Sequence, residues 1–225
     1  MLRRVLLVLM VVSFMLGGTS FAAADDSINV KKPYALRFSC GFKAEANVMS
    51  MIHWGDEPVT TAMRAGTSVG FFINYRLSRL FSVQADAFLH YKNSLITQDV
   101  TKANHQYFGD ELALYLMYHQ PLKKYNGVFS FGVGPFTEFG FKSELRYNGK
   151  EFDVYEVNTE TGMSTLQDSN VGFAFLVGYE FPCGLQINTS YKISVSNLLD
   201  VEDNSYALRP QTFSIGVAYR FGKKR

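Results

Sequence analysis

The chain has 225 residues, 47% hydrophobic and 15% aromatic, with 22 basic against 20 acidic side chains and a formal charge of +2. Such a small excess of positive charge argues against a nucleic-acid partner. Its two cysteines, Cys40 inside a strand pattern and Cys183 in a tight turn, fit no disulfide spacing rule.

The first residues read as a secretory signal. Arg3 and Arg4 precede the apolar run Val5 to Leu16, and small residues fill Gly17 to Ala24. The apolar run is well short of the ~20 residues that a membrane-spanning helix needs. Cleavage after Ala22-Ala23-Ala24 is therefore expected, leaving a domain of residues 25–225. No cysteine directly follows the cleavage point, where Asp25 stands, so nothing suggests a lipid anchor. Removal of both arginines brings the mature net charge to zero.

The mature chain alternates with period two, the mark of strands with two unlike faces. Val69, Phe71, Ile73, Tyr75 and Leu77 alternate with Ser68, Gly70, Asn74 and Arg76. The same dyad recurs in Phe81 to Tyr91, Phe129 to Val133, Val171 to Phe181, Leu185 to Val195 and Phe213 to Phe221. With Leu36 to Val48 and Leu112 to Tyr118, eight strands are predicted, near 34–48, 64–77, 80–92, 106–119, 127–141, 169–181, 184–196 and 207–221. Connections alternate in length. Ser78-Arg79, Gln120 to Asn126 and Pro182-Cys183 are short, whereas Met49 to Met63, Lys92 to His105, Lys142 to Asp168 and Asn197 to Tyr206 are long. Short turns at one end and long loops at the other define the fold class: an all-β, eight-stranded antiparallel up-and-down transmembrane barrel, short side periplasmic.

A soluble eight-stranded barrel would alternate too, so the facing must be argued. The polar face is rich in small residues such as Ser39, Gly41, Gly70, Gly132, Gly134, Gly172 and Gly178. These suit a crowded eight-stranded interior, which side chains just fill. Its charges balance five against five: Arg37, Lys43, Arg76, Lys192 and Arg220 with Glu45, Asp86, Glu111, Glu138 and Glu180. Paired and hydrogen-bonded charges are tolerable inside, so a polar, plugged lumen is expected. On the apolar face, Tyr34, Tyr75, Phe81, Tyr118, Phe129, Tyr179, Phe181, Tyr219 and Phe221 gather near the short turns as an aromatic girdle facing outer-membrane lipid.

These residues also carry a resemblance. The stretches Gly41-Phe42-Lys43-Ala44-Glu45-Ala46-Asn47, Gly70 to Ser78 followed by Phe81-Ser82-Val83-Gln84, Gly134-Pro135-Phe136, Gly178-Tyr179-Glu180-Phe181 and Gly216-Val217-Ala218-Tyr219-Arg220-Phe221 occur in order along nearly the whole mature chain. Together they resemble the outer-membrane β-barrel (porin-like, PorT-type) proteins of Gram-negative bacteria. The resemblance implies location in the bacterial outer membrane and implies that Tyr219 and Phe221 are the signal read by the barrel-assembly machinery. The chain departs from many such barrels in carrying Gly222-Lys223-Lys224-Arg225 beyond the last aromatic residue.

No catalytic, cofactor or metal motif stands out. The histidines are scattered at His53, His90, His105 and His119. A cluster of His105 with Ser94 and Asp99 or Asp110 is the one enzyme-like arrangement, and it lacks a nucleophile elbow. Glu144, Glu151, Asp153, Glu156, Glu160 and Asp168 make the third loop acidic without calcium-loop spacing. Wide pores need about sixteen strands, so solute diffusion is not expected. The loops remain, as the candidate surface for a protein or glycan ligand. His53 stands beside Trp54 in the first loop, and the Asn148-Gly149 turn signal lets the strands around the third loop project as a ribbon. The expected role is loop-mediated binding, adhesion or envelope maintenance. The alternatives are a PorT-like secretion component or, further off, a narrow pore or lipid-modifying enzyme.

Overall fold

The computed structural model describes residues 38–54, 59–98, 101–122, 126–147, 149–156, 166–199 and 207–221. The signal segment, Tyr34, Arg37 and the Gly222–Arg225 tail lie outside these residues. Among these residues nine strands form: β1 (Phe38–Trp54), β2 (Val59–Arg76), β3 (Phe81–Gln98), β4 (Thr101–Leu122), β5 (Gly127–Tyr147), β6 (Lys150–Asp153), β7 (Ser169–Glu180), β8 (Leu185–Ser194) and β9 (Ala207–Arg220). Each barrel strand pairs antiparallel with its neighbours, β4 with β5 and β9 with β1 included, so the sheet closes on itself. Among the described residues closure gives each barrel strand a partner on both sides, so no barrel strand presents an unpaired edge to lipid. The short β6 pairs only with β5 and stands outside the ring. The fold is thus an eight-stranded antiparallel barrel. No helix among the described residues is long and apolar enough to cross a membrane.

The short turns are built by local chemistry. After β2, Ser78 Oγ accepts the Phe81 amide at 3.0 Å. Between β7 and β8, Gly184 takes φ +90°, donates to the Phe181 carbonyl at 3.0 Å and accepts the Arg220 amide at 2.9 Å. A Cβ there would lie 2.9 Å from the Arg220 carbonyl oxygen, so the turn requires glycine.

The long-loop side differs from expectation. β1 runs to Trp54, β2 begins at Val59, β3 runs to Gln98 and β4 begins at Thr101, so the predicted loops 49–63 and 92–105 are mostly strand. The third loop opens with the β5–β6 hairpin across Tyr147↔Lys150, with Gly149 at φ +76°. Backbone pairing simply continues beyond the apolar band. The outward residues there include Asn93, Thr97, Lys102, Asn104 and Gln106, while Met49, Met51 and Ile96 turn inward, so the contrast between an apolar outer and a polar inner face is lost and the period-two signal fades. Register irregularities between Arg64 and Thr67 and between Phe108 and Gly109 also shift the facing by one residue, which breaks the alternation.

The outer surface is apolar where lipid would lie, with Phe42, Phe71, Leu89, Leu116, Phe173, Ile187 and Ile215 all exposed. Two aromatic belts bound it. Near the short turns, Phe81 packs on Tyr118, Tyr179 on Phe181 and Phe42 on Phe221. Toward the loops, exposed Tyr91 pairs in register with Phe108, whose ring meets Phe141. Phe81 to Tyr91 is about ten residues, which at ~3.4 Å each and a tilt of ~40° gives roughly the 25 Å height of a barrel's lipid-facing band.

The closing seam joins β9 to β1. The Phe221 amide donates to the Cys40 carbonyl at 2.8 Å, and the Phe221 ring stacks edge-on with both Phe42 and Tyr219. The double substitution Tyr219→Ala, Phe221→Ala is expected to reduce insertion sharply, read as loss of the heat-modifiable band in outer-membrane fractions. Normal assembly of that variant would remove any role for the last strand as an assembly signal. Both cysteines are exposed and free, Cys40 on the outer face of β1 and Cys183 in the β7–β8 turn.

Candidate functional site: the barrel lumen and its mouth

Inward-facing positions on each strand carry the polar set. Lys43, Glu45, Asp86, Glu111, Glu138 and Lys192 are none of them more than 6% exposed. Pairs form across intervening strands. Lys43 of β1 bonds Asp86 of β3. Lys192 Nζ of β8 reaches Glu111 Oε1 of β4 at 2.5 Å, bridging strands three places apart around the ring. Arg220 Nε stands 3.0 Å from Glu180 Oε2 near the periplasmic end. Neutral donors take up further oxygens: Gln84 on Asp86 at 2.9 Å, Gln186 on Glu180 at 3.0 Å and Asn170 on Glu138 Oε2 at 3.2 Å.

Glu138 bonds Lys92, a residue outside the ten predicted lumen charges and buried at 1% exposure. Its phase was legible, because Lys92 continues the inward series Ser82, Gln84, Asp86, Phe88 and His90. The predicted strand 80–92 ends at Lys92, whereas β3 runs on to Gln98. Arg76 faces inward near the short turns and makes no ion pair among the described residues. Glu45 has no ion pair among the described residues, and its Oε2 has no hydrogen-bond partner.

Apolar side chains interleave with the charges, which alternation alone did not foretell. Phe72 stands opposite Gly41, Phe88 opposite Gly70 and Phe136 opposite Gly172 in the ladders. A Cβ at those glycines would come within 2.5, 2.7 and 2.7 Å of the respective rings. Each inward aromatic therefore lies over space that only glycine leaves open. Lys43 Nζ sits 5.5 Å from the Phe72 ring centre and Lys192 Nζ 5.2 Å from that of Phe88, cation–π geometry in a desolvated setting. Tyr115, Met117, Phe136 and Leu176 form a buried apolar cluster alongside.

Two histidines of β4 act as clasps between β3 and β5. His119 contacts Ser82 Oγ at 2.7 Å and Ser130 Oγ at 2.8 Å. His105 contacts Ser143 Oγ at 2.7 Å and Ser94 Oγ at 3.5 Å. Of the enzyme-like cluster, Ser94 thus meets His105 only loosely, Asp110 stands in the outward register of β4, and Asp99 lies outside the described residues.

The mouth has its own cover. Val154 and Leu166 from the third loop and Leu198 from the fourth pack on Met49, Met51 and Leu208, with Ile96, Leu145 and Tyr155 around them. Backbone bonds hold the cover: Val154 N to Ser143 O at 3.0 Å, Leu166 N to Val154 O at 3.1 Å, Gln167 N to Leu198 O at 2.7 Å and Gly140 N to Asp168 O at 2.7 Å. Burial also pushes the Tyr155 phenol pKa up. The cavity beneath, lined by His105, Tyr107, Glu138 and Asn170 among others, measures about 20 Å³, room for one water molecule. The third loop therefore touches the barrel, and no motif announced it, because Val154, Leu166 and Leu198 are isolated apolar residues in polar surroundings. His53 and Trp54 lie not in a loop but at the end of β1, paired with Leu208 and Ala207 of β9, and His53 is half-buried.

A closed antiparallel barrel with a lipid-matched apolar exterior and an ionic interior is the architecture of a small bacterial outer-membrane protein. Residues 12–221 match the family described as outer membrane protein beta-barrel domain, and the chain belongs to that family. Its location is accordingly the bacterial outer membrane. Among solved structures it is similar to the outer membrane protein OprG from Pseudomonas aeruginosa, at 13% identity and TM-score 0.50, covering 82% of this chain and 95% of that one. It is similar also to Ail, the attachment invasion locus protein of Yersinia pestis, in complex with the heparin analogue sucrose octasulfate, at 13% identity and TM-score 0.43, covering 83% and 100%. Neisserial surface protein A matches at 13% identity and TM-score 0.42, covering 81% and 97%. No curated protein matches.

Proposed function

We propose that this chain is a closed-lumen outer-membrane scaffold, non-enzymatic, which acts through its extracellular end in binding, adhesion or envelope maintenance. The observation that carries the reading is the cross-lumen Lys192–Glu111 pair, stacked with Lys43–Asp86 and Lys92–Glu138 below an apolar cover. Paired charges and interdigitated rings in an eight-stranded interior leave no aqueous path for solutes. What is left to meet the surroundings is the projecting upper wall, the β5–β6 ribbon and the end of β1 with His53 and Trp54, as a contact surface for a protein or glycan. Export through a cleaved signal peptide, residues 1–24, and insertion by the barrel-assembly machinery belong to the same proposal.

The test is complementation. A deletion strain is supplied with the wild-type gene or with a variant lacking Arg146 to Thr165, and envelope integrity, surface attachment and protein secretion are compared. The shortened protein is expected to assemble, because the eight-strand ladders below Leu145 remain intact, and to fail in attachment or integrity. Full complementation by the shortened protein would remove the loop from the function. Loss of a secreted protein as the sole defect of the deletion strain would instead favour the PorT-like secretion role.

A further inference from the structure

Midway along the lumen, His90 of β3, Glu111 of β4 and Glu138 of β5 each bring one ligand-type atom within 4.8 Å of the others. All three are buried, and they come from adjacent strands, so no sequence spacing reveals them. His90 Nδ1 lies 3.9 Å from Glu111 Oε2. Two atoms of the group, His90 Nε2 and Glu111 Oε2, are buried and have no hydrogen-bond partner. The lysines do not supply the missing contacts. Lys192 bonds the other oxygen of Glu111, and Lys92, engaged by Glu138, comes no nearer than 4.0 Å to Glu111 Oε2.

Charge points the same way. In this layer Lys43, Lys92 and Lys192 face Glu45, Asp86, Glu111 and Glu138, and Glu45 Oε2 is itself unpartnered. Carboxylates exceed ammonium groups by one, so the net charge of this layer has the sign that attracts a cation.

We propose that His90, Glu111 and Glu138 bind one divalent cation of zinc type. One imidazole nitrogen with two carboxylates is a borderline ligand set that suits zinc better than calcium or magnesium, which favour all-oxygen cages. The cation takes the unbonded Glu111 Oε2 and a His90 nitrogen, while Glu138 contributes the carboxylate that it now shares with Lys92 and Asn170. Bound there, it ties β3, β4 and β5 together inside the barrel. The inference rests on the closed-lumen reading, but metal content is measured independently of conductance, so the two can fail separately.

The protein is refolded in detergent with zinc chloride, dialysed against metal-free buffer and assayed for zinc per chain by mass spectrometry, beside His90→Gln and His105→Gln. Folding of each is checked by heat-modifiable mobility. Wild type and His105→Gln are expected to retain one zinc per chain and to melt higher with metal, whereas His90→Gln retains roughly tenfold less or lower still. If His90→Gln does not fold, the wild-type protein loaded with cobalt decides, through a visible band distinct from that of hydrated cobalt. No retained metal, equal retention in folded His90→Gln, or a cobalt spectrum like that of the hydrated ion would overturn the site.

Discussion

Lys192→Met is expected to destabilise the folded barrel by about 3–5 kcal/mol, the usual cost of removing one partner from a buried pair. The substitution keeps most of the length of the side chain, one atom shorter, but leaves Glu111, 1% exposed, without the ammonium 2.5 Å away. Glu111 has little recourse. Lys92 stands 4.0 Å off and already bonds Glu138. Removing both partners, as Lys192→Met with Glu111→Met, is expected to cost much less than the two single changes together, because neither charge is then stranded. Urea titration of the refolded protein in lipid vesicles, followed by tryptophan fluorescence and gel mobility, checks both statements. Single-mutant stability equal to wild type would mean that the pair is hydrated and the lumen open.

Gly41→Leu is expected to prevent assembly altogether. A Cβ at Gly41 would fall 2.1 Å from the Tyr219 carbonyl oxygen and 2.5 Å from the Phe72 ring. Gly41 pairs with Arg220 at the closing seam, so the clash strikes the step that joins first strand to last. Phe72→Ala is not expected to rescue it, since the backbone oxygen stays. Gly132→Ala supplies the contrast: its new methyl meets chiefly the flexible Met117 Sδ, at 2.3 Å. That variant is expected to assemble with a loss of about 1–3 kcal/mol. The absence of any heat-modifiable band for Gly41→Leu, with a normal band for Gly132→Ala, is the result to look for.

The barrel was legible in the sequence because a membrane imposes two strict conditions on each strand: outward residues must be apolar, and inward ones must fit a narrow space. Tyr75, Phe81 and Tyr219 satisfy the first, Gly41, Gly70 and Gly172 the second, and the period of two follows. Where the outer condition lapses, above Tyr91 and Phe108, strands continue without their signature, and there the sequence reading ended them early. Lys92, the last residue of the predicted strand 80–92, sits at that limit and is absent from the predicted charge network. The charged positions could be placed on the inner face, but not paired, since partners sit on strands two or three places apart and their meeting depends on the barrel's shear. The mouth cover was invisible for a related reason: Met49, Val154, Leu166 and Leu198 come from four separate segments, and none forms a pattern alone.

The central claim is that the lumen is closed. Single-channel conductance of the wild-type protein in a planar bilayer tests it most directly. A closed lumen gives protein that inserts, as shown by gel mobility of the recovered sample, yet produces no discrete, stable current steps. Large, long-lived steps from correctly folded wild-type protein would contradict the account and make the chain a pore.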